Sequence, residues 1–481
     1  MTAKDLQQLE RLLPERVGLI DSPIWDAGRQ VFSPIGRLRK PTAVVRPADR
    51  QDVLKVMQWA NDTNTRVLPR SGGHSFDAFS IQDETVMLDL RDLNQVSLGD
   101  GVLNLMPKAT NFSVNQALAH VDRILPGGDC PTVAMGGQLS GGGFGYVGKL
   151  FGLTLDSLLE ATVVTGDGAI VTASPDENSD LFWACRGGGG CGGIMTDMVC
   201  ALHEVQHVTC IQLDFQWEAA ADVLMIYADM MRNGPAELDL KLKIRTTGTG
   251  RFYDKSCDDL GYGGKPLVHL DGLHLGGRKQ IETYLLPLTS HPGLIESTVV
   301  EKDTYHDAMK ELIPFELLRD PAPKDITPIR VASDFSRGGL EADEVDAVVR
   351  FIDTLEYAPE YAGGCVLLEP CNGRIANPEP EDTAFPHRDA ELLLQWEMFH
   401  DVGDGVEVRQ RQDELLNGVR SELARILTGG RYLNYADRLD RPSQWWGDNL
   451  DRLKTVAARF DPNRRVISRL WPTGQLETAH S

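Results

Sequence analysis

The chain has 481 residues, too many for one ordinary hydrophobic core, so two or three domains are expected. Its hydrophobic content of 42% and charged content of 25% are those of a folded globular protein. A formal net charge of −22 sets it against nucleic-acid phosphates and anionic membrane surfaces by simple repulsion. No run approaches the ~18 apolar residues that span a bilayer. The start, Met1-Thr2-Ala3-Lys4-Asp5-Leu6, has no apolar signal core, so a cytoplasmic protein without membrane contact is expected. Eight cysteines (Cys130, Cys185, Cys191, Cys200, Cys210, Cys257, Cys365 and Cys371) are scattered without a C-x-x-C pair, which points to reduced thiols and no metal site. Oligomeric state is not legible.

Residues 1 to 36 read as a leader with a short helix over Leu6 to Leu13. A short strand at Val44-Val45 stops at Arg46-Pro47. Asp49 to Ala60 reads as a capped helix, with Val53, Val56, Met57 and Ala60 at helical spacing. Val67-Leu68-Pro69 leads into Arg70-Ser71-Gly72-Gly73-His74-Ser75. Val86 to Leu90 is a strand, and a helix over Asn111 to Ala119 runs on towards Gly127-Gly128-Asp129-Cys130-Pro131-Thr132-Val133. Glycines follow at Gly136-Gly137 and Gly141-Gly142-Gly143. Leu158 to Thr165 and Ala169 to Thr172 pair as a hairpin around Gly166-Asp167-Gly168.

Two patterns here carry other readings. Gly143-Phe144-Gly145-Tyr146-Val147-Gly148 matches the dinucleotide fingerprint G-x-G-x-x-G, but it follows a glycine loop instead of a strand, so no nicotinamide site is read. His203-Glu204-Val205-Gln206-His207 matches H-E-x-x-H, yet its surroundings read as β structure. Two histidines four apart on a strand stand about 13 Å apart, too far for one zinc ion.

Near residue 205 the pattern changes. Ile211 to Trp217, Leu238 to Ile244 and Leu267 to Leu275 alternate with period two, predicting an antiparallel sheet with one buried face. Helices over Ala221 to Met231, Gly276 to Leu286 and Ala342 to Leu355 are expected to cover it. Leu392 to Phe399 is a further alternating strand, and Trp446 to Ala458 a further helix.

An imidazole and a thiol, each in a glycine-rich loop, are suited to attack an electron-poor ring carbon, and glycine amides to cradle a pyrophosphate. His74 and Cys130 therefore point to a flavin dinucleotide held by two covalent bonds. With Arg186-Gly187-Gly188-Gly189-Gly190, Thr383-Ala384-Phe385-Pro386-His387-Arg388, Tyr432-Leu433-Asn434-Tyr435-Ala436-Asp437 and Phe460-Asp461-Pro462-Asn463, the chain resembles the berberine-bridge-enzyme-like branch of the vanillyl-alcohol-oxidase superfamily, from about Arg37 to about Pro472.

The resemblance implies an α+β architecture. A PCMH-type two-subdomain FAD-binding domain would occupy residues 1–205, a substrate domain with a large antiparallel sheet covered by helices residues 206–437, and residues 438–481 would return to the FAD-binding domain. It implies FAD bonded at the 8α-methyl carbon to His74 and at C6 to Cys130. Arg70, Ser71, Gly72, Gly73, Ser75, Gly128, Val133, Gly136, Gly137, Gln138, Gly142, Gly143 and Asn434 would line the cofactor, and Gly187 to Gly190 would turn into the last strand of that domain. Tyr435 is the implied base, with Tyr432 as a neighbour able to share the role and Glu397 as the carboxylate alternative; Glu369 ranks lower. A phenol near its usual ~10 would need a nearby cation or hydrogen bond to act at neutral pH.

Val133 resembles the oxygen-permitting type, so O2 as acceptor and H2O2 as product are expected. Gln138 stands where relatives often carry histidine, and Arg464-Arg465-Val466 replaces a usual aromatic pair. The implied substrate is an alcohol, phenol or amine-bearing small molecule, most simply a secondary metabolite. A carbohydrate oxidised at its anomeric carbon is the alternative, and an inactive flavin-fold protein a third reading.

Overall fold

The computed structural model describes residues 1–247, 265–313, 328–401 and 403–469. Cys257 and the expected end of the resemblance at Pro472 lie outside them.

The first sheet has the order β1-β2-β4-β3, with β1 Val17–Leu19, β2 Ala43–Val45, β3 Val67–Arg70 and β4 Val86–Asp89. The last three run parallel, and β1 is antiparallel to β2. The leader is thus more than a leader: after the helix Ala3–Leu12, Val17 to Leu19 extend the sheet by pairing with Val45 to Ala43. Helix Arg50–Asp62 crosses over as its spacing predicts. Asp49 caps it by accepting the Asp52 N–H at 2.9 Å, and Val53, Val56, Met57 and Ala60 are buried.

The second sheet is antiparallel, in the order β5-β6-β10-β8-β9, with β5 Val96–Leu98, β6 Val102–Leu105, β8 Leu158–Thr165, β9 Ile170–Ala173 and β10 Gly193–Ala201. A separate two-stranded piece joins β7 Arg123–Ile124 to β11 His203–Glu204. Gly187, Gly189, Gly190 and Gly192 all have positive φ, and they form the turn into β10.

The third sheet has seven antiparallel strands in the order β15-β12-β14-β13-β17-β18-β16. These are β12 Val208–Phe215, β13 Leu238–Arg245, β14 Leu267–His274, β15 Leu294–Lys302, β16 Ile329–Ser336, β17 Gly364–Pro370 and β18 Leu392–Phe399. One face is apolar: Leu213, Leu240, Leu242, Leu270, Leu368, Leu394 and Trp396 pack under helices Ala220–Asn233, Ala342–Tyr357 and Val406–Glu422. The expectation of a single buried face fails. β16, β17 and β18 are buried along their whole length, because the other face is covered too. That second face carries Asp239, Lys241, Asp271, Glu369, Gln395 and Glu397, all buried.

Two expected helices are interrupted. Gly276 to Leu286 resolves into short helices Arg278–Ile281 and Leu286–Thr289, the second restarting with Pro287 in its first turn, where a missing N–H costs nothing. Trp446 to Ala458 resolves into Pro442–Trp446 and Leu450–Phe460, separated at Gly447 with φ +46°. Trp445, Trp446, Leu453 and Val456 pack with residues of the second sheet. Val466, part of the unusual tail, is buried beside Val67, and Val67 forms a parallel bridge to it.

Candidate active site

β3 delivers the His74 loop. Arg70 at its end does not reach outward as a cofactor ligand. Its guanidinium donates to the Gly28 and Gln30 carbonyls at 2.7 and 2.6 Å and to Asp89 at 2.8 Å, so it fixes the root of the loop. Ser71 Oγ donates to the Pro107 carbonyl at 2.5 Å, and Ser75 Oγ accepts from the Phe79 N–H at 3.1 Å. Gly73 has φ +72°, and a Cβ on Gly72 would stand 3.0 Å from the Ala134 Cβ, so the loop lies against the start of helix Met135–Gly141. Among the described residues no acceptor takes the N–H groups of Gly72, Gly73, His74 or Ser75. His74 stacks on Phe32 with centroids 4.6 Å apart. Burial first, then the charge of Lys108, pushes its pKa down to about 3 against a hydrogen bond to the Thr132 backbone. The imidazole is therefore neutral and nucleophilic at ordinary pH.

The Cys130 loop is tied down by Asn111 and Gln138. Asn111 Nδ2 donates to the Cys130 carbonyl at 2.9 Å and to Gln138 Oε1 at 3.1 Å. Gln138 Oε1 also accepts the Gly128 N–H at 3.1 Å, and its Nε2 donates to Thr154 at 3.1 Å. Gln138 thus holds the loop with both ends of its amide and is not a free donor for the cofactor. Cys130 Sγ lies 3.6 Å from Thr132 Oγ1, so Thr132 touches both nucleophiles. Burial pushes the thiol pKa up, Thr132 opposes this, and the charge of Asp129 adds to it. Val133 is half-buried directly after Thr132.

Gly137 faces open space, with nothing within 4 Å of an added Cβ, as does Gly190. Gly136 instead packs on Pro107, where a Cβ would come within 2.8 Å of the proline Cβ. Gly142 and Gly143 make room for Tyr432: a Cβ on Gly142 would fall 2.8 Å from its ring, and the Gly143 N–H donates to its hydroxyl at 2.8 Å. Free amides on one loop, open space beside Gly137 and two nucleophiles sharing Thr132 suit an FAD.

The two tyrosines differ. Tyr432 is buried among Phe144, Phe335 and Phe385, and its hydroxyl accepts from Gly143 and from Asn434 Nδ2, the latter at 3.0 Å. Burial pushes its phenol up, and these two hydrogen bonds tie its hydroxyl to the glycine turn and to Asn434. Tyr435 packs edge-on against Tyr432 at 4.9 Å and near Phe76, and its hydroxyl donates to Glu369 Oε2 at 3.1 Å. Of the expected cation or hydrogen bond, the hydroxyl has a hydrogen bond, but to a carboxylate, which favours the phenol and not the phenolate. Burial and the Glu369 charge push the Tyr435 phenol well above its ordinary value. Both effects favour the protonated phenol over the phenolate.

Glu397 shares the Glu369 face of the sheet and is buried, not exposed. Its Oε1 accepts from Gln395 Nε2 at 2.8 Å. Lys241, which sequence reasoning missed, joins Glu369 Oε1 at 2.7 Å and Asp129 Oδ2 at 3.3 Å. The signal was present: Lys241 lies on the polar face of an alternating strand. Lys108, also missed, is half-buried beside His74, its pKa lowered to about 8 by burial and Arg70.

The H-E-x-x-H residues lie where the pattern of neighbours placed them. His203 and Glu204 form β11, the His203 ring bonds Ser157 at 3.0 Å, and His207 is exposed. Gly143 to Gly148 follows a helix and a glycine turn, not a strand.

The two sheets that carry the His74 and Cys130 loops, with the covered seven-stranded antiparallel sheet, make an α+β fold of the PCMH FAD-binding type. The FAD binding domain family matches residues 41–174. The chain is 26% identical over 473 residues to a glucooligosaccharide oxidase of Sarocladium strictum, covering 92% of this chain and 89% of that protein. It is 26% identical over 442 residues to a chitooligosaccharide oxidase of Gibberella zeae, covering 88% and 85%. Its fold matches Physcomitrella patens BBE-like 1 with TM-score 0.80 at 22% identity, covering 96% and 98%. It also matches a glucooligosaccharide oxidase of Acremonium strictum described as carrying a 6-S-cysteinyl, 8α-N1-histidyl FAD, with TM-score 0.81 at 23% identity, covering 97% and 98%. Together these matches make the chain an FAD-dependent oxidoreductase whose fold is that of the berberine-bridge-enzyme-like and oligosaccharide oxidases.

Proposed function

We propose that the chain is an oxidase with FAD bonded to both His74 and Cys130, and that it oxidises a hydroxyl-bearing carbon of a carbohydrate, with O2 reduced to H2O2. The observation that carries this is the Tyr435 hydroxyl donating to the buried Glu369 carboxylate, on the sheet face that meets the flavin loops. Bound FAD would supply the two-electron acceptor. Tyr435 takes the proton of the substrate hydroxyl as its own passes to Glu369, so no free phenolate is needed. Lys243, Gln395 and Glu397 on the same face supply donors and acceptors for a polyhydroxylated substrate, and the curated carbohydrate oxidases align along most of the chain. We assign the flavin to residues 1–205 with the return from residue 438, and the substrate to 206–437.

A second reading, a tailoring oxidase for a secondary metabolite, draws on the apolar group of Phe76, Ile329, Val331 and Phe399 beside Tyr435. An FAD-linked oxidoreductase, dpmaF of Metarhizium anisopliae, is 27% identical over 450 residues.

Acid denaturation followed by intact mass tests the cofactor, and peroxide release tests the substrate. The expected result is a yellow chain heavier by one FAD that releases peroxide with cellobiose, maltose or chitobiose. Release only with aromatic or terpenoid alcohols would favour the second reading. A chain at its bare sequence mass after reconstitution with FAD would remove covalent attachment.

A further inference from the structure

We infer that Lys241 is a positioning residue serving both halves of the site: it orients Glu369 for Tyr435 and anchors Asp129, the residue before Cys130. The inference rests on Tyr435 and Glu369 acting as the proton relay.

Lys241 lies on β13, where Leu238-Asp239-Leu240-Lys241-Leu242-Lys243-Ile244 alternates. Its leucines enter the helix-covered core, which places Asp239, Lys241 and Lys243 on the opposite face. β13 pairs with β17 through Leu242 and Leu368, and one step further along the register Lys241 meets Glu369. The side chain is 1% exposed, and an unpaired cation so deep would be untenable.

It has two anions from different elements: Glu369 from the neighbouring strand at 2.7 Å and Asp129 from the Cys130 loop at 3.3 Å. The Tyr146 ring lies beneath it at 4.8 Å. The other charged groups on this face have partners of their own. Asp271 takes Lys243 at 2.7 Å and the Tyr146 hydroxyl at 3.0 Å, and Asp239 takes the Lys149 N–H at 3.1 Å. A cross-strand ion pair for stability alone would need one carboxylate. Here Lys241 holds Glu369 Oε1, which leaves Oε2 turned to Tyr435, and with its remaining reach ties down the loop that presents Cys130.

A double-mutant cycle on anaerobic flavin reduction tests the first half, with cellobiose as the first substrate tried and the best substrate of the peroxide screen thereafter. Lys241→Met and Glu369→Gln should each slow reduction by about a hundredfold. The double variant should be no slower than the slower single one, and Lys241→Arg should recover most of the rate. Should Lys241→Met not fold, Lys241→Gln closes the same cycle. Effects that multiply in the double variant, or a wild-type rate without Lys241, would overturn the inference. Wild-type rates in Tyr435→Phe and Glu369→Gln would instead overturn the relay itself.

The second half needs no substrate. In a His74→Ala background only Cys130 can bond the flavin, and adding Lys241→Met should lower the fraction of chains carrying FAD by intact mass. Equal fractions would sever Lys241 from the Cys130 loop.

Discussion

Burial favours the neutral form of both His74 and Cys130, which frees the imidazole lone pair but withholds the thiolate, and this orders their chemistry. Burial keeps the His74 imidazole unprotonated down to about pH 3, so its lone pair is available throughout the working range. Burial and Asp129 hold Cys130 as a thiol, with its pKa above the usual value, and only the thiolate attacks. In a His74→Ala chain reconstituted with FAD, attachment through Cys130 should be slow and should quicken as pH rises. In Cys130→Ala, attachment through His74 should be nearly independent of pH above neutrality. Intact mass against time at several pH values reads both, and a pH-independent Cys130 arm would contradict the raised thiol. Tyr435→Phe, which keeps the ring against Tyr432 and Phe76 but loses the hydroxyl, should leave flavin content intact and slow reduction by about 10²- to 10⁴-fold. Stopped-flow reduction with a peroxide-releasing substrate measures it, and an unchanged rate would move the base to Glu397.

The seven-stranded sheet works because its two faces have different tasks. Trp396 on β18 is fully buried on the helix side, edge-on to Phe351 at 5.0 Å, with its N–H on Asp334 at 2.9 Å. Trp396→Ala should cost about 3–5 kcal/mol in urea unfolding, and activity lost in proportion to unfolding, not beyond it, would confirm that this face is scaffold. Period-two alternation made β12, β13, β14 and β18 legible, because leucines facing helices leave an unmistakable pattern. It could not say what covers the polar face, since Lys241 and Glu397 look like solvent-facing residues until a second layer buries them. The loops that carry His74, Cys130 and Tyr435 stood out in the sequence because their motifs are local. The contacts of Arg70, Gln138, Gly142, Gly143 and Asn434, to Gly28, Asn111, Tyr432 and one another, were not legible because tertiary packing sets them. Glu369 ranked low because its two partners, Lys241 and Tyr435, are remote in sequence.

At the scale of the whole molecule, the flavin-side loop and the Tyr435 loop are brought together over a buried cation. Arg330 on β16 is 5% exposed. It donates through Nε and Nη2 to Asp437 at 2.9 and 2.7 Å, and its Nη1 lies 2.7 Å from Asp413 of helix Val406–Glu422. Asp437 stands two residues after Tyr435. Facing it is Asp77, three residues after His74, whose carboxyl is pushed up to about 7 by burial and by the Asp437 charge. Without Arg330, Asp437 and Asp413 would lose the cation between them, leaving Arg438 on Asp413 at 2.8 Å and the more distant charges of Arg431 and Arg469 near Asp437. Arg330→Met should therefore destabilise the fold by about 3–5 kcal/mol, the cost of leaving buried charge uncompensated. The deficit should grow as pH rises through about 7, because Asp77 then becomes a second anion beside Asp437. Adding Asp437→Asn removes the stranded anion and should restore part of the loss, whereas Arg438→Ala, at a partly exposed pair, should cost about 0–1 kcal/mol. Urea unfolding of the single and double variants on either side of neutrality decides the matter. A double variant no more stable than Arg330→Met would mean that the packing of the arginine stem, and not charge balance, joins the two loops.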